Sequence, residues 1–411
     1  MVMQIARALG LCLAVGVVGA CTGLAPIRVP PPADVHEQAI IPGLPEARFW
    51  GDDYSDLLVR GEIERIDASL RERWERAGRP ADGVPINALA LSGGGPDGAF
   101  AAGLLNGWSE TGTRPEFDLV TGISVGALIA PFAFLGPDYD HALRTIFTEF
   151  GAEDVAVFAP FAALGGALGL LDTQPLRRTI RDLIDAPTVE AIAAESRAGR
   201  RLLIGTTNID AARPVIWDMG AIAEAGEVEL FGDVMLASAS IPGAFPPVLI
   251  DVEAGGRSFS EFHVDGGVTH SVILWPTGVE RVFPRIPGVA QRGTIHVIQN
   301  NQLRPPFTPV DPRLSQIAAR SLSTLIRAQT SADLAQIYNA AQAVGYDFRL
   351  IFVPPSATAP GTTDFDRAYM TALFEQAETL GRGSIPWFEA PPAAMGRAEL
   401  SRRLAELAAM R

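Results

Sequence analysis

Short apolar runs alternate with longer stretches of helical spacing along this 411-residue chain. That alternation predicts an α/β fold in which a mostly parallel sheet is covered by helices on both faces. Two further observations agree with it. Two apolar runs pass into helical stretches through glycine-rich junctions, Ser92-Gly93-Gly94-Gly95-Pro96-Asp97-Gly98 and Gly122-Ile123-Ser124-Val125-Gly126. The chain is also 48% hydrophobic, enough to bury a large core.

Taken in order, residues 1–20 are apolar and rich in small residues after a single Arg7, too short for a comfortable membrane span and suited to a secretory signal. The run Val18-Gly19-Ala20-Cys21 resembles the lipobox of bacterial lipoproteins. That resemblance implies cleavage before Cys21, lipid on its thiol and, with Thr22 following, residence at the outer membrane. Residues 21–47 are proline-rich, with Pro30-Pro31-Pro32, and read as an extended tether. Leu57, Leu58, Ile63, Ile66, Leu70 and Trp74 recur at helical spacing among Arg and Glu, which predicts an amphipathic helix over 57–77. Strands are expected at 86–91, 201–208, 293–299 and 348–353, with extended segments at 214–219 and 258–263. Helices are expected at 99–108, 142–150, 176–183, 232–240, 312–343, 365–380 and 398–410. The apolar, glycine-rich stretch 155–171 reads either as a loop near a lipid-accepting mouth or as core, and is expected to pack in the core because apolar stretches usually do.

Composition removes several classes of function. The net charge of −14 argues against a nucleic-acid partner, which needs a basic face. Every basic side chain is arginine; without lysine there is no Ser–Lys dyad, no Schiff base and no Walker lysine for a phosphate cradle. The two cysteines, Cys12 and Cys21, both lie near the amino terminus, so the body has no disulfide framework, no cysteine zinc site and no thiol nucleophile. Neither a metal nor a cofactor is expected.

Ser124 stands between an apolar strand end and an apolar helix, with Gly122 and Gly126 two residues away on either side. This is the G-x-S-x-G pattern of a nucleophile elbow, where a serine on a sharp turn leaves no room for neighbouring side chains. The following helix directs free backbone N–H groups toward the serine oxygen. Gly93, Gly94 and Gly95 expose consecutive N–H groups suited to an oxyanion. A serine hydroxyl needs a base, here His, Asp or Glu. His141, His263, His270 and His296 follow Ser124, but none stands in a glycine-rich loop. Asp265 does, followed by Gly266 and Gly267, although Asp-Gly is equally a common turn pair.

The glycine run at 92–98, the block at 122–126, the stretch Ala237-Ser238-Ala239-Ser240-Ile241-Pro242-Gly243-Ala244-Phe245-Pro246-Pro247 and Asp265-Gly266-Gly267 come in the order and context of the patatin-like phospholipases. The resemblance covers about residues 86–300. It implies a three-layer α/β/α sandwich and a metal-free Ser124–Asp265 dyad that hydrolyses acyl esters of lipids, with Gly93, Gly94 and Gly95 as oxyanion donors. At Asp97, where many members of that family carry Arg or Lys, this chain has an acid, which leaves neutral lipids and simple esters open as substrates. The expected division is 1–20 signal, 21–47 lipidated tether, 48–85 helical extension, 86–300 catalytic core and 301–411 a helical and strand extension packed on that core. The expected partners are a lipid or ester substrate and the membrane that holds the anchor. A Ser–His–Asp esterase and a non-catalytic lipoprotein module are the other readings.

Overall fold

The computed structural model describes residues 28–409 apart from 54–67, 69–70, 81–82, 159–167, 275–291, 304–306, 308, 356 and 358–364. The expected signal, Cys12, Cys21 and the first part of the tether lie outside the described residues. So does most of the stretch 57–77, of which 71–76 is helical.

The strands are β1 Arg48–Trp50, β2 Ile86–Leu91, β3 Leu119–Ile123, β4 Val157–Phe158, β5 Leu171–Asp172, β6 Arg201–Asn208, β7 Arg213–Asp218, β8 Val248–Ala254, β9 Arg257–Asp265, β10 Gly293–Gln299 and β11 Asp347–Phe352. The longer helices are α1 Gly98–Glu110, α2 Val125–Leu135, α3 Asp140–Thr148, α4 Gln174–Leu183, α5 Ala186–Arg197, α6 Met219–Glu224, α7 Val228–Ser238, α8 Leu314–Val344, α9 Arg367–Arg382 and α10 Arg397–Ala409. Nine strands form one sheet in the order β1-β7-β6-β3-β2-β10-β11, with β9 paired to β6 and β8 to β9. Its centre, β6-β3-β2-β10-β11, is parallel. The flank beyond β6 is antiparallel. The central strands are apolar almost throughout because both faces are covered; all eight residues of β6 are buried.

From β2 the chain steps through α1 to β3 in one direction, and from β10 through α8 to β11 in the other. Right-handed crossovers therefore lay α1 and α8 on opposite faces, giving the three-layer α/β/α sandwich. The direction changes between β2 and β10. The carboxyl ends of strands at such a point form a crevice suited to a ligand. Both glycine-rich junctions open at this end of the sheet.

Three expectations change. Residues 28–47 do not hang free. Ala39, Ile41, Leu44 and Ala47 are buried, Ile40 bridges Glu253 of β8, and the Arg28 guanidinium pairs with Asp210. The prolines prevent long helices or strands, but apolar residues between them still bury their surface. The stretch 155–171 does not pack as core where it is described. Val157 is 45% and Leu170 55% exposed, and the amides of Leu170 and Leu171 bond Gly243 and Ala244 instead of the sheet. The segment after residue 300 is more than an addition to a finished core. Its β11 pairs with β10 over six residues, and α9 packs on α1 at backbone distance.

That helix contact is made by glycines four residues apart on α1. A Cβ on Gly103 would lie 2.1 Å from the Phe374 carbonyl oxygen, and one on Gly107 2.0 Å from that of Glu378. Backbone cannot yield as a side-chain tip can. Gly103→Ala should therefore force α1 and α9 apart and lower the unfolding free energy by about 1–3 kcal/mol, read from the denaturant midpoint.

Candidate active site

Ser124 caps β3 at the entry to α2 with φ 54° and ψ −124°. A non-glycine residue in that region is strained, and strain of this kind persists only where the surroundings enforce it. Two close approaches enforce it here. A Cβ on Gly126 would lie 2.4 Å from the Leu91 carbonyl oxygen, and one on Gly122 2.5 Å from that of Gly126. Only glycine at both sites lets β3, the turn and the end of β2 lie this close. The Ser124 N–H donates to the Ser238 hydroxyl at 2.9 Å, and that hydroxyl donates to the Gly205 carbonyl at 2.7 Å.

The Ser124 hydroxyl donates to Asp265 Oδ2 at 2.7 Å, across 141 residues of sequence. Strand pairing explains the meeting. Along one edge of β6, β3 pairs as far as Ile123 opposite Gly205. The next residue of β6, Thr206, pairs with Asp265 of β9. The two strands thus abut end to end, and the residues at the junction face each other. Asp265 also behaves as the Asp-Gly pair foretold: its Oδ1 accepts from the Gly267 N–H at 2.7 Å and starts a turn over Gly266–Val268. Both readings of this residue are satisfied, one by each carboxylate oxygen. Gly266 is needed because a Cβ there would lie 2.4 Å from the Gly205 carbonyl oxygen.

Burial of Asp265 disfavours its charged form and pushes its pKa up to about 6, against the pull of the hydrogen bonds from Ser124 and Gly267.

The glycine junction lies beside the nucleophile; a Cβ on Gly93 would stand 3.2 Å from Ser124 Cβ. The amide of Gly93, however, donates to the Ser271 carbonyl at 3.0 Å. It is therefore spent, and the expectation of three glycine donors is corrected to two. Gly93 acts as a spacer against Ser124. The N–H groups of Gly94 and Gly95 have no hydrogen-bond acceptor among the described residues, and neither has that of Val125 at the first position of α2.

Asn300 holds the junction in place, and composition gives no hint of it. Its Nδ2 donates to the Ser92 carbonyl at 2.9 Å, its Oδ1 accepts from the Ala101 N–H and its own N–H donates to the Ser92 hydroxyl. Gly94 packs so tightly on Asn300 that a Cβ would sit 2.0 Å from its carbonyl oxygen. The signal that finds Asn300 is its place at the end of β10, across the direction change from β2. Ser238 was visible only as one small residue in a small-residue run.

None of the histidines bonds Ser124. His263 is fully buried, with Nδ1 2.9 Å from Thr206 Oγ1 and Nε2 3.2 Å from Glu261. Burial lowers its pKa, and a neutral ring that accepts from Thr206 and donates to Glu261 satisfies both nitrogens. His296 stacks among Trp108, Trp387 and Phe117, and burial pushes its pKa down to about 4. His141 is on the surface, and His270 lines a cavity of about 620 Å³ between the sheet and α8. No cluster of three metal-ligating side chains occurs among the described residues.

An apolar crevice runs from Val125, the neighbour of the nucleophile. Leu128, Phe132, Phe147, Ile180, Met235 and Met370 line it, and its open space is about 50 Å³.

The family model for patatin-like phospholipases matches residues 89–327, more than half of the chain. The chain belongs to the patatin-like phospholipase family. At that level it is a lipid acyl hydrolase on the patatin fold. No curated protein matches it in sequence. Among solved structures, the crystal structure of VipD from Legionella pneumophila aligns over 74% of this chain and 67% of its own, with 11% identity and a TM-score of 0.31.

Ser238 acts on the nucleophile only through the elbow, so its removal tests the positioning. Ser238→Ala should strand the Ser124 N–H and the Gly205 carbonyl, at a cost of about 1–3 kcal/mol in stability. In steady-state kinetics of this patatin-like enzyme it should lower kcat with little change in KM.

Proposed function

We propose that Ser124 and Asp265 form a dyad that hydrolyses carboxylic esters of lipids through an acyl-enzyme. The observation that carries this reading is the 2.7 Å hydrogen bond between them, made by a serine on a strained elbow. In the first half-reaction Ser124 Oγ attacks the ester carbonyl carbon while its proton passes to Asp265 Oδ2. The carbonyl oxygen becomes an oxyanion among the N–H groups of Gly94, Gly95 and Val125. Collapse breaks the bond to the alkoxy oxygen, which leaves with the proton from Asp265. In the second half a water gives its proton to Asp265 and attacks the acyl carbon, and collapse restores the serine. Each oxyanion donor in such a site contributes about 3–4 kcal/mol to the barrier reduction. The crevice beside Val125 is the proposed place for the acyl chain, since it is apolar and starts one residue from the attacking oxygen. An aspartate with an ordinary pKa of 3.8 would be a weak base; one raised to about 6 is closer to its task.

The lipobox reading adds a location. Cys21 would carry the lipid that ties the enzyme to the bacterial envelope, at the outer membrane, where its substrates lie. Among the described residues no helix is long and apolar enough to cross a membrane.

A fluorophosphonate probe tests the nucleophile and a lipid ester panel tests turnover. Wild type should be labelled and Ser124→Ala should not. Asp265→Asn should lose about 10²- to 10⁴-fold in kcat with its circular dichroism unchanged. Equal labelling of Ser124→Ala would favour the non-catalytic module, and near-full activity in Asp265→Asn would return the base to a histidine.

The raised pKa gives a second measurement. Asp265 must be ionised to accept a proton, so kcat/KM should fall as pH drops below about 6. Stability runs the opposite way. A carboxyl whose folded pKa is raised contributes most below its unfolded value of 3.8, and that contribution is lost as pH rises through about 6. Asp265→Asn cannot ionise, so at pH 7.5 it should melt at or above the wild-type temperature.

A further inference from the structure

Asp97 closes the glycine junction and opens α1, yet its side chain caps no helix amide. Its Oδ1 accepts a hydrogen bond of 2.5 Å from the Tyr369 hydroxyl of α9. No cation pairs with it among the described residues. The arginines on the neighbouring helices are engaged elsewhere, Arg144 with Glu378, Arg367 with Glu153 and Arg382 with Glu110. The pair also lies close to the nucleophile and to the crevice beside it. Gly98, the next residue, is in contact with Val125, beside the nucleophile. Met370, next to Tyr369, lines the crevice that starts at Val125. Both Asp97 and Tyr369 are only partly buried, so the carboxylate is not sealed from whatever occupies the mouth.

We propose that Asp97, held in place by Tyr369, sets the choice of leaving group, so that this site takes acyl esters of uncharged alcohols, acylglycerols among them, and rejects esters that carry an anionic group next to the scissile bond. The inference rests on Ser124 being the nucleophile of a lipid ester hydrolase and names the substrate that reading leaves open. The physical reason is repulsion without a counter-charge. At an effective dielectric of ~20, two like charges within about 10 Å of each other disfavour the anionic ester by tenfold or more. Burial pushes Asp97 up to about 6, so above that pH the carboxylate is charged. Asp97 is the specificity residue here. Tyr369 is a positioning residue that keeps the charge aimed at the mouth.

The test compares the full-length enzyme on 1,2-dibutyrylglycerol and on the same molecule with a phosphate at the third hydroxyl, both below micellar concentration at pH 8. Wild type should favour the neutral ester by at least about tenfold in kcat/KM. Asp97→Asn keeps the size and the acceptor for Tyr369 but removes the charge, and should shrink that ratio at least about fivefold by raising turnover of the phosphate ester. Tyr369→Phe keeps the charge and frees its position, so it should lie between the two. Added salt offers a readout free of mutation: between 0.02 and 0.5 M NaCl the wild-type preference should narrow and that of Asp97→Asn should stay flat, with a Debye length of about 10 Å already reached near 0.1 M. Equal use of both esters by wild type, or a preference that Asp97→Asn keeps in full, overturns the inference while leaving the Ser124 mechanism standing. If neither ester is turned over in a Ser124-dependent way, the underlying reading falls and this inference falls with it.

Discussion

One edge of β6 carries two strands in succession, and the site depends on the seam between them. β3 runs parallel to β6 and stops at Ile123; β9 runs antiparallel and begins to pair one residue further on. The last residue of each approaches the same point from opposite directions. Ser124 and Asp265 therefore meet as a consequence of register, which a one-residue slip would destroy. The antiparallel flank is held by a buried chain of polar contacts. The Arg48 guanidinium pairs with Glu261, Glu261 with His263, His263 with Thr206, and Trp217 donates to Thr206. Burial acts to raise Glu261, but the hydrogen bond from His263 and the charge of Arg48 outweigh it and hold the carboxyl at about 2. Breaking one member of such a network leaves a buried charge uncompensated, so it fixes β9 firmly.

The site is unfavourable locally and rests on what surrounds it. A serine at φ 54° stores strain, and a carboxyl kept from water resists ionisation. Both are tolerated because the elbow is packed backbone against backbone at Gly122 and Gly126, and because the helix that follows it buries Ile129, Phe132 and Phe134 in the core. The same surroundings hold the backbone of Gly94, Gly95 and Val125, whose amides have no acceptor among the described residues. A flexible glycine loop could not hold them there. Asn300 and the helix contact between α1 and α9 make this loop rigid. The segment after residue 300 thus belongs to the site, since it supplies α9, which packs on α1 and carries Tyr369.

Most of the α/β alternation was legible in sequence because buried parallel strands and amphipathic helices leave different periods. The strands over 201–208 and 293–299 match their apolar runs residue for residue, while β8, which alternates buried and less buried residues, and α5, whose buried face includes Val189, Ile192, Ala193 and Ser196, lack a continuous apolar run and do not stand out. Residues 28–47 read as a free tether in sequence because proline frequency reports the absence of regular structure, which is different from the absence of packing. The exposed part of 155–171 reads as core for the converse reason: apolar composition does not say which surface it meets. Gly93 shows the limit most plainly. Three adjacent glycines look equivalent in a sequence, yet one amide is consumed by Ser271, a partner 178 residues away along the chain.

By itself the sequence determined the chemistry that was possible: a serine at an elbow, no lysine, no thiol in the body, an aspartate between an extended run and two glycines, and a glycine junction able to present amides. These are local properties, set by residue type and by the conformations that glycine alone allows. Tertiary structure decided which of these groups act together. It brought Asp265 and no histidine to Ser124, spent one of the three glycine amides on Ser271 and set Asp97 against Tyr369 with no cation paired to it among the described residues. Distances and protonation depend on strand register and on burial, and both arise only when segments far apart in the chain have packed against one another.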